Sequence, residues 1–217
     1  MVRKHNINAT KIEIIKVALK MFLEKGYSKT SAKAICDELK ISTGNLTFHF
    51  PTKEHLLSIL VELLCDYQWK VMKNITKEGK TSLMAFCLEF TSIAAICELD
   101  NLERYFYIAA YTHPITLDII RKNDAKKAKL VFNDYCKDFD EINYIEAETL
   151  VSGIEYATMK TTASSAPLDV RIAGALRAIM MIYNVPESIY KDKINKVLAM
   201  DYRSLANNIL QDFKKYI

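Results

Sequence analysis

Glycine and proline are scarce in this chain, with five and four among 217 residues. Average usage is about 7% Gly and about 5% Pro, so each falls below half the usual share. That scarcity argues against turn-rich all-β folds, glycine-built phosphate loops and nucleophile elbows. Ser152-Gly153 lacks the rest of an elbow. His5, His49, His55 and His113 form no His-x-x-x-His pair and have no acidic residue at metal-binding spacing. The cysteines at 36, 65, 87, 97 and 136 are odd in number and make no Cys-x-x-Cys. Each lies in an apolar-periodic stretch, which reads as a buried free thiol in a reducing cytosol. Nothing pairs Cys65 or Cys136 with a base. The most apolar run, 82–97, is interrupted by Glu89 and is too short for a bilayer. The basic N-terminus, Met1 to Ala9, has no apolar h-region. These absences predict a soluble cytoplasmic protein that is not an enzyme, with no cofactor, no metal and no membrane partner.

What is present is hydrophobic patterning and charge. Half the residues are hydrophobic, 26% are charged, and the net charge is +4. A chain of this length buries roughly 70% of its unfolded surface, so a core without staples suffices. Residues 1–53 carry ten Lys/Arg against four Asp/Glu, a net of +6. The remainder carries twenty against twenty-two, a net of −2. A compact basic segment on a near-neutral body is the electrostatic footprint of a nucleic-acid module.

Periodicity predicts an all-α protein of about 9–11 helices. Thr10 and Glu13 fit a capping box that opens a helix over about 11–25, closed by Gly26. A short helix over about 32–39 takes Thr30 or Ser31 as its cap, and Ser42 caps another, 43–49, ended by Phe50-Pro51. Thr52 caps a long helix to about Lys77. Further helices fall near 81–98, 101–112, 115–139, 142–163, 168–184, 187–199 and 201–216. The expected architecture is an N-terminal three-helix helix-turn-helix module, residues 1–52 with the motif at about 31–50, followed by a larger helical domain, 53–217, for effector binding and dimerisation.

Two short helices braced by a third form a helix-turn-helix, whose second helix enters a DNA major groove. The exposed positions of that helix are Thr43, Gly44, Asn45 and Thr47. Lys53, at a helix N-terminus, is placed for a phosphate. Arg3 and Lys4 are expected on a flexible arm along the backbone or minor groove.

The residues Lys11-Ile12 through Ala18-Leu19, Phe22, Gly26-Tyr27, Thr30-Ser31, Ile35-Cys36 and 41–46 resemble the N-terminal module of TetR-type repressors. So does the run from Phe48 to Glu54, ending in Leu56-Leu57; the match covers about residues 8–60. The resemblance implies that residues from Thr43 to His49, with Ser42, Thr30 and Phe48 among the contacts, meet double-stranded operator DNA. It also implies that Lys53 holds a phosphate. Lys40 stands where the family commonly has Gly, and Thr47 where a phosphate-contacting Tyr is common. Phe48 lacks that hydroxyl and is open to either core or contact.

The resemblance also assigns dimerisation to helices 8 and 9. The residues add two small pairs four apart, Gly153 with Ala157 and Gly174 with Ala178, and apolar contacts from Leu150, Ile154, Leu176, Met180 and Tyr183. An intramolecular packing groove is the alternative use of those glycines. Phe86, Phe90, Tyr105, Tyr107, Tyr111 and Tyr156 make a small apolar or aromatic effector plausible, with Glu89 a partner for a cationic ligand or an exposed side chain. The resulting expectation is a homodimeric, ligand-responsive transcriptional repressor on a palindromic operator. The alternative is a helical protein-binding adaptor that never meets DNA.

Overall fold

Three hydroxyl side chains divide the N-terminal region into separate helices. Ser31 Oγ accepts from the Ala34 amide at 3.0 Å, Ser42 Oγ from Asn45 at 3.2 Å, and Thr52 Oγ1 from His55 at 3.4 Å. Each sits in extended backbone and satisfies an amide that a first helical turn leaves open.

The computed structural model describes residues 2–77, 82–99 and 101–216, and among these the chain is all-helical. The helices are α1 (Val2–Lys25), α2 (Ala32–Leu39), α3 (Thr43–His49), α4 (Lys53–Thr76), α5 (Leu83–Leu99) and α6 (Asn101–Thr112). They continue as α7 (Pro114–Phe132), α8 (Glu141–Met159), α9 (Leu168–Ile182), α10 (Glu187–Leu198) and α11 (Tyr202–Tyr216). No described helix is long and apolar enough to cross a membrane.

α5 is apolar on every side, as a helix must be when neighbours surround it. It packs against α4 and against each helix from α6 to α11. In the N-terminal module α2 rests on α1 and α3 on α2, while α1 also touches α4 and α6. The module and the body therefore share α4, whose first turn lies under α2 and whose later turns pack on α5 and α7.

Four boundaries differ from the periodicity. α1 starts at Val2, so Thr10 and Glu13 lie inside a helix and make no capping box there, and Arg3 and Lys4 belong to helical backbone rather than an arm. Their side chains lie outside the described residues. α7 stops at Phe132 instead of running to 139, because the segment after it closes in turns: the Tyr135 and Cys136 amides both donate to the Phe132 carbonyl. Asp140 then caps α8 reciprocally with Asn143, which fixes where the next helix begins. α8 ends at Met159 and α9 at Ile182; Asn184 adopts a left-handed φ of 54°.

Candidate nucleic-acid interface and effector body

In α3 one face is anchored and the other is open. Leu46 is buried with Ile35 and Cys36 of α2, while Thr43, Gly44, Asn45 and Thr47 are exposed. Phe48 is 71% exposed, so it is surface and not core. The half-buried His49 ring meets the Phe48 ring edge-on at 5.2 Å. The Thr47 hydroxyl donates back to the Thr43 carbonyl at 3.0 Å, and Ser42 Oγ is engaged as the helix cap. A Cβ added at Gly44 would meet only Ser42 Oγ at 3.9 Å, an ordinary contact. Nothing within the chain requires that glycine.

The turn between α2 and α3 rests on Lys40, which adopts φ 54° and ψ 39° with its amide donating to Asp37 and Cys36 carbonyls. This is the left-handed conformation that a glycine takes without cost. The Lys40 side chain is exposed.

Two expected DNA contacts turn inward. Thr30 is buried, and its hydroxyl lies 3.0 Å from the Gly26 carbonyl and 3.2 Å from that of Met21. Lys53 folds back under the loop between α1 and α2. Its Nζ donates to the Tyr27 carbonyl at 3.1 Å and the Thr30 carbonyl at 3.2 Å, and sits 4.0 Å from the Tyr27 ring centroid. Burial lowers its ammonium pKa from the ordinary value, against the pull of Glu54. Tyr27 Oη in turn donates to Glu54 Oε1 at 2.9 Å. Lys53 and Glu54 thus act as a clamp on Tyr27, a role that neither periodicity nor charge disclosed.

The seven residues expected around an effector do not converge. Phe86 is core, its ring edge-on to Phe132 at 5.0 Å. Tyr107 is buried and accepts from Gln68 Nε2 at 3.3 Å. Tyr105 is exposed, and Tyr156 Oη accepts from Lys160 Nζ at 2.9 Å near the surface. Phe90 and Tyr111 border a common void, about 10 Å³, with Ile93, Ala94, Glu155, Thr158 and Met159. A larger cleft, about 260 Å³, lies at the ends of α5 and α8 with Arg104, Thr161 and Arg171 on its walls; it holds none of the seven.

Glu89 is neither exposed nor free. It is buried and paired with Lys127 Nζ at 2.9 Å. Lys127 also pairs with Asp124 at 3.0 Å and lies 5.4 Å from the Trp69 ring centroid. Burial alone would lower the lysine pKa, but Asp124 and Glu89 hold it well above the ordinary value. On α8, Glu155 accepts from Tyr111 Oη at 2.7 Å and Glu148 from Tyr183 Oη. Burial, reinforced by Asp124, pushes both carboxyls up, Glu148 to about 8. Asp124 and Lys127 on α7 and Glu148 and Glu155 on α8 escaped the sequence reading because only the packing of those two helices brings the pairs together. The one clue was their position on otherwise apolar helix faces.

On α8 and α9 the inner face is apolar, and the outer face sets several large apolar side chains among polar ones. Leu176, Met180 and Tyr183 point inward and are fully buried, so they are not available to a second chain. Leu150 is exposed, as are Gly153, Ala157 and Gly174, while Ile154 and Ala178 are half-buried. Their exposed neighbours are Ile142, Ile145, Val170 and Met181, which the sequence reading missed. A Cβ at Gly153 or Gly174 would meet nothing within 4 Å, so neither glycine serves a groove within the chain.

Residues 14–59 match the family model described as bacterial regulatory proteins, tetR family. Two curated relatives, both from Bacillus subtilis, align over the same scale of segment. One, the uncharacterized HTH-type transcriptional regulator YuxN, is 37% identical over 78 residues, 36% of this chain and 27% of that protein. The other, the uncharacterized HTH-type transcriptional regulator YerO, is 35% identical over 72 residues, 33% of this chain and 25% of that protein. The matched part thus spans about a quarter of these relatives' length. Among solved structures, a gamma-butyrolactone receptor (ArpA-like protein) is 19% identical with a TM-score of 0.44, covering 95% of this chain and 99% of that one. Salmonella enterica GusR is 20% identical with a TM-score of 0.47, covering 82% and 95%.

Proposed function

We propose that the chain is a tetR-family regulator, on the match of its residues 14–59 to that family, and that it works as a homodimeric, cytoplasmic transcriptional repressor released from DNA by a small molecule. Residues 1–52 form the reading head and 53–217 the body. The observation that carries this reading is the outer face of α3: four small polar positions and Phe48, all exposed, on a helix held from behind by Leu46. Such a helix fits a major groove about 12 Å wide. Gly44 brings the backbone close to a phosphate or base edge.

The paired outer faces of α8 and α9 supply the dimer contact. Glycine inside a helix costs about 0.5–1 kcal/mol relative to alanine, and nothing within the chain offsets that at Gly153 or Gly174. Close approach of a second copy does. Two reading heads then meet successive major grooves about 34 Å apart on a palindrome. α4 joins the two functions, because effector binding in the body shifts the helix whose first turn clamps the reading head. Release requires that the effector bind the two conformations with different affinity.

A footprint on the DNA upstream of the protein's own gene tests the reading. Two protected half-sites one helical turn apart are expected, with affinity falling at a log–log salt slope of about −0.9 per phosphate contacted. Absence of any protected site there or elsewhere in the genome refutes it.

A further inference from the structure

Among the described residues, carboxyl groups inside the body outnumber the cations that face them. Glu89 on α5, Asp124 on α7, and Glu148 and Glu155 on α8 share one ammonium, that of Lys127. Lys127 is held by Glu89 and Asp124, at 2.9 and 3.0 Å. Glu148 and Glu155 receive hydrogen bonds only from the neutral phenols of Tyr183 and Tyr111 among the described residues. Arg121, the other α7 cation facing α8, donates to Ser152 Oγ at 2.9 Å instead. Ionising either carboxyl without a cation beside it is costly, which is why burial raises both; a positive charge placed there would let them ionise.

A second observation has the same polarity. Gln68 on α4 is fully buried; its Nε2 reaches Tyr107 Oη, and its Oε1 has no partner. Tyr107 in turn lies within electrostatic reach of Glu89 and Cys65. Carboxylates in excess and a bare carbonyl oxygen both lack a donor or a positive charge. Around Glu155, Phe90 and Tyr111 supply aromatic surface, and Trp69 already has an ammonium over its ring.

We propose that the effector is an organic cation with an aromatic or apolar body, its positive charge docked against Glu155 between α5, α6 and α8, with Glu148 two turns back on the same helix. This rests on the effector reading above and names the ligand class. The void beside Glu155 is about 10 Å³, the size of one water, so the ligand enters by displacing side chains. Met159 on its wall is unbranched and gives way most readily. Parting α8 from α5 and α6 acts on α4, which packs against both.

The test uses the full chain and two probes of one shape, phenyltrimethylammonium and uncharged tert-butylbenzene, with fluorescence of the single tryptophan, Trp69, as readout. The cation is expected to bind at least about tenfold more tightly, and Glu155→Gln to lower its affinity by about tenfold while leaving tert-butylbenzene unchanged. Glu148→Gln is expected to act in the same direction and stands in if Glu155→Gln does not fold. Equal affinity for the two probes, no binding of the cation at millimolar concentration, or insensitivity to both substitutions overturns the proposal. Operator binding is followed separately by fluorescence anisotropy. Release by uncharged compounds alone refutes the cation and leaves the regulator standing, whereas an absent operator site refutes the regulator whatever the probes do.

Discussion

Lys53 and Tyr27 are joined twice: the lysine Nζ donates to the tyrosine carbonyl at 3.1 Å and sits 4.0 Å from its ring centroid. Together with Glu54 accepting from Tyr27 Oη, this ties the first turn of α4 to the loop that leads into α2. The body of the protein therefore has a fixed handle on the N-terminal module.

Replacing that ammonium separates a clamp from a phosphate contact. Lys53→Met is expected to destabilise the protein by about 1–2 kcal/mol, from one or two charge-assisted hydrogen bonds and a cation–π contact. Thermal unfolding measures this. Operator affinity should fall with the displaced module, but the salt slope should stay unchanged. A slope smaller by about 0.9 would mean that Lys53 neutralises a phosphate after all.

The left-handed turn residue offers a gain. Lys40 at φ 54° bears the Cβ clash that glycine avoids, about 1–2 kcal/mol, partly offset by the extra freedom of glycine when unfolded. Lys40→Gly is expected to stabilise by about 0.5 kcal/mol in chemical denaturation, with the denaturant slope unchanged.

Phe48 distinguishes surface function from core. As an exposed side chain, Phe48→Ala should alter stability by less than about 0.5 kcal/mol. If α3 reads DNA, operator affinity should drop by about fivefold or more in anisotropy titrations.

Glu148 makes stability depend on pH. Burial raises its carboxyl from the ordinary 4.5 to about 8 in the folded chain. A raised folded value means that the stability present below pH about 4.5 declines as pH climbs to about 8, since only the unfolded state releases the proton readily. Glu148→Gln keeps an acceptor for Tyr183 and removes this loss. Its unfolding free energy from chemical denaturation should match the wild type near pH 4.5 and exceed it near pH 8, by a difference of the order of 1 kcal/mol or more. Parallel curves would refute the buried carboxyl.

The outer faces of α8 and α9 predict an assembly. Leu150→Arg or Met181→Glu should yield monomers by sedimentation while leaving helix content intact, because both side chains are exposed in the single chain. Leu176→Ala should instead cost about 2–5 kcal/mol of folding stability, as for any fully buried leucine.

Sequence alone determined most of the helices and their order. Caps at Ser31, Ser42 and Thr52 and the 3.6-residue period are local, so α2 and α3 match to the residue. Only the resemblance singled out Lys40, as a residue standing where Gly is common; its left-handed φ of 54° came from the structure. Periodicity could not say which of two apolar faces of α9 looks inward, so Leu176, Met180 and Tyr183 were assigned to a partner that their burial denies them. The aromatics expected to line a pocket went to the core, to the surface and to one small void, because convergence depends on how helices cross. The Lys53 clamp and the pairing of Lys127 with Glu89 bridge 26 and 38 residues of chain. Such contacts exist only once packing has brought distant helices together and excluded water from between them. Tertiary structure decided these, and with them where the interior is short of positive charge.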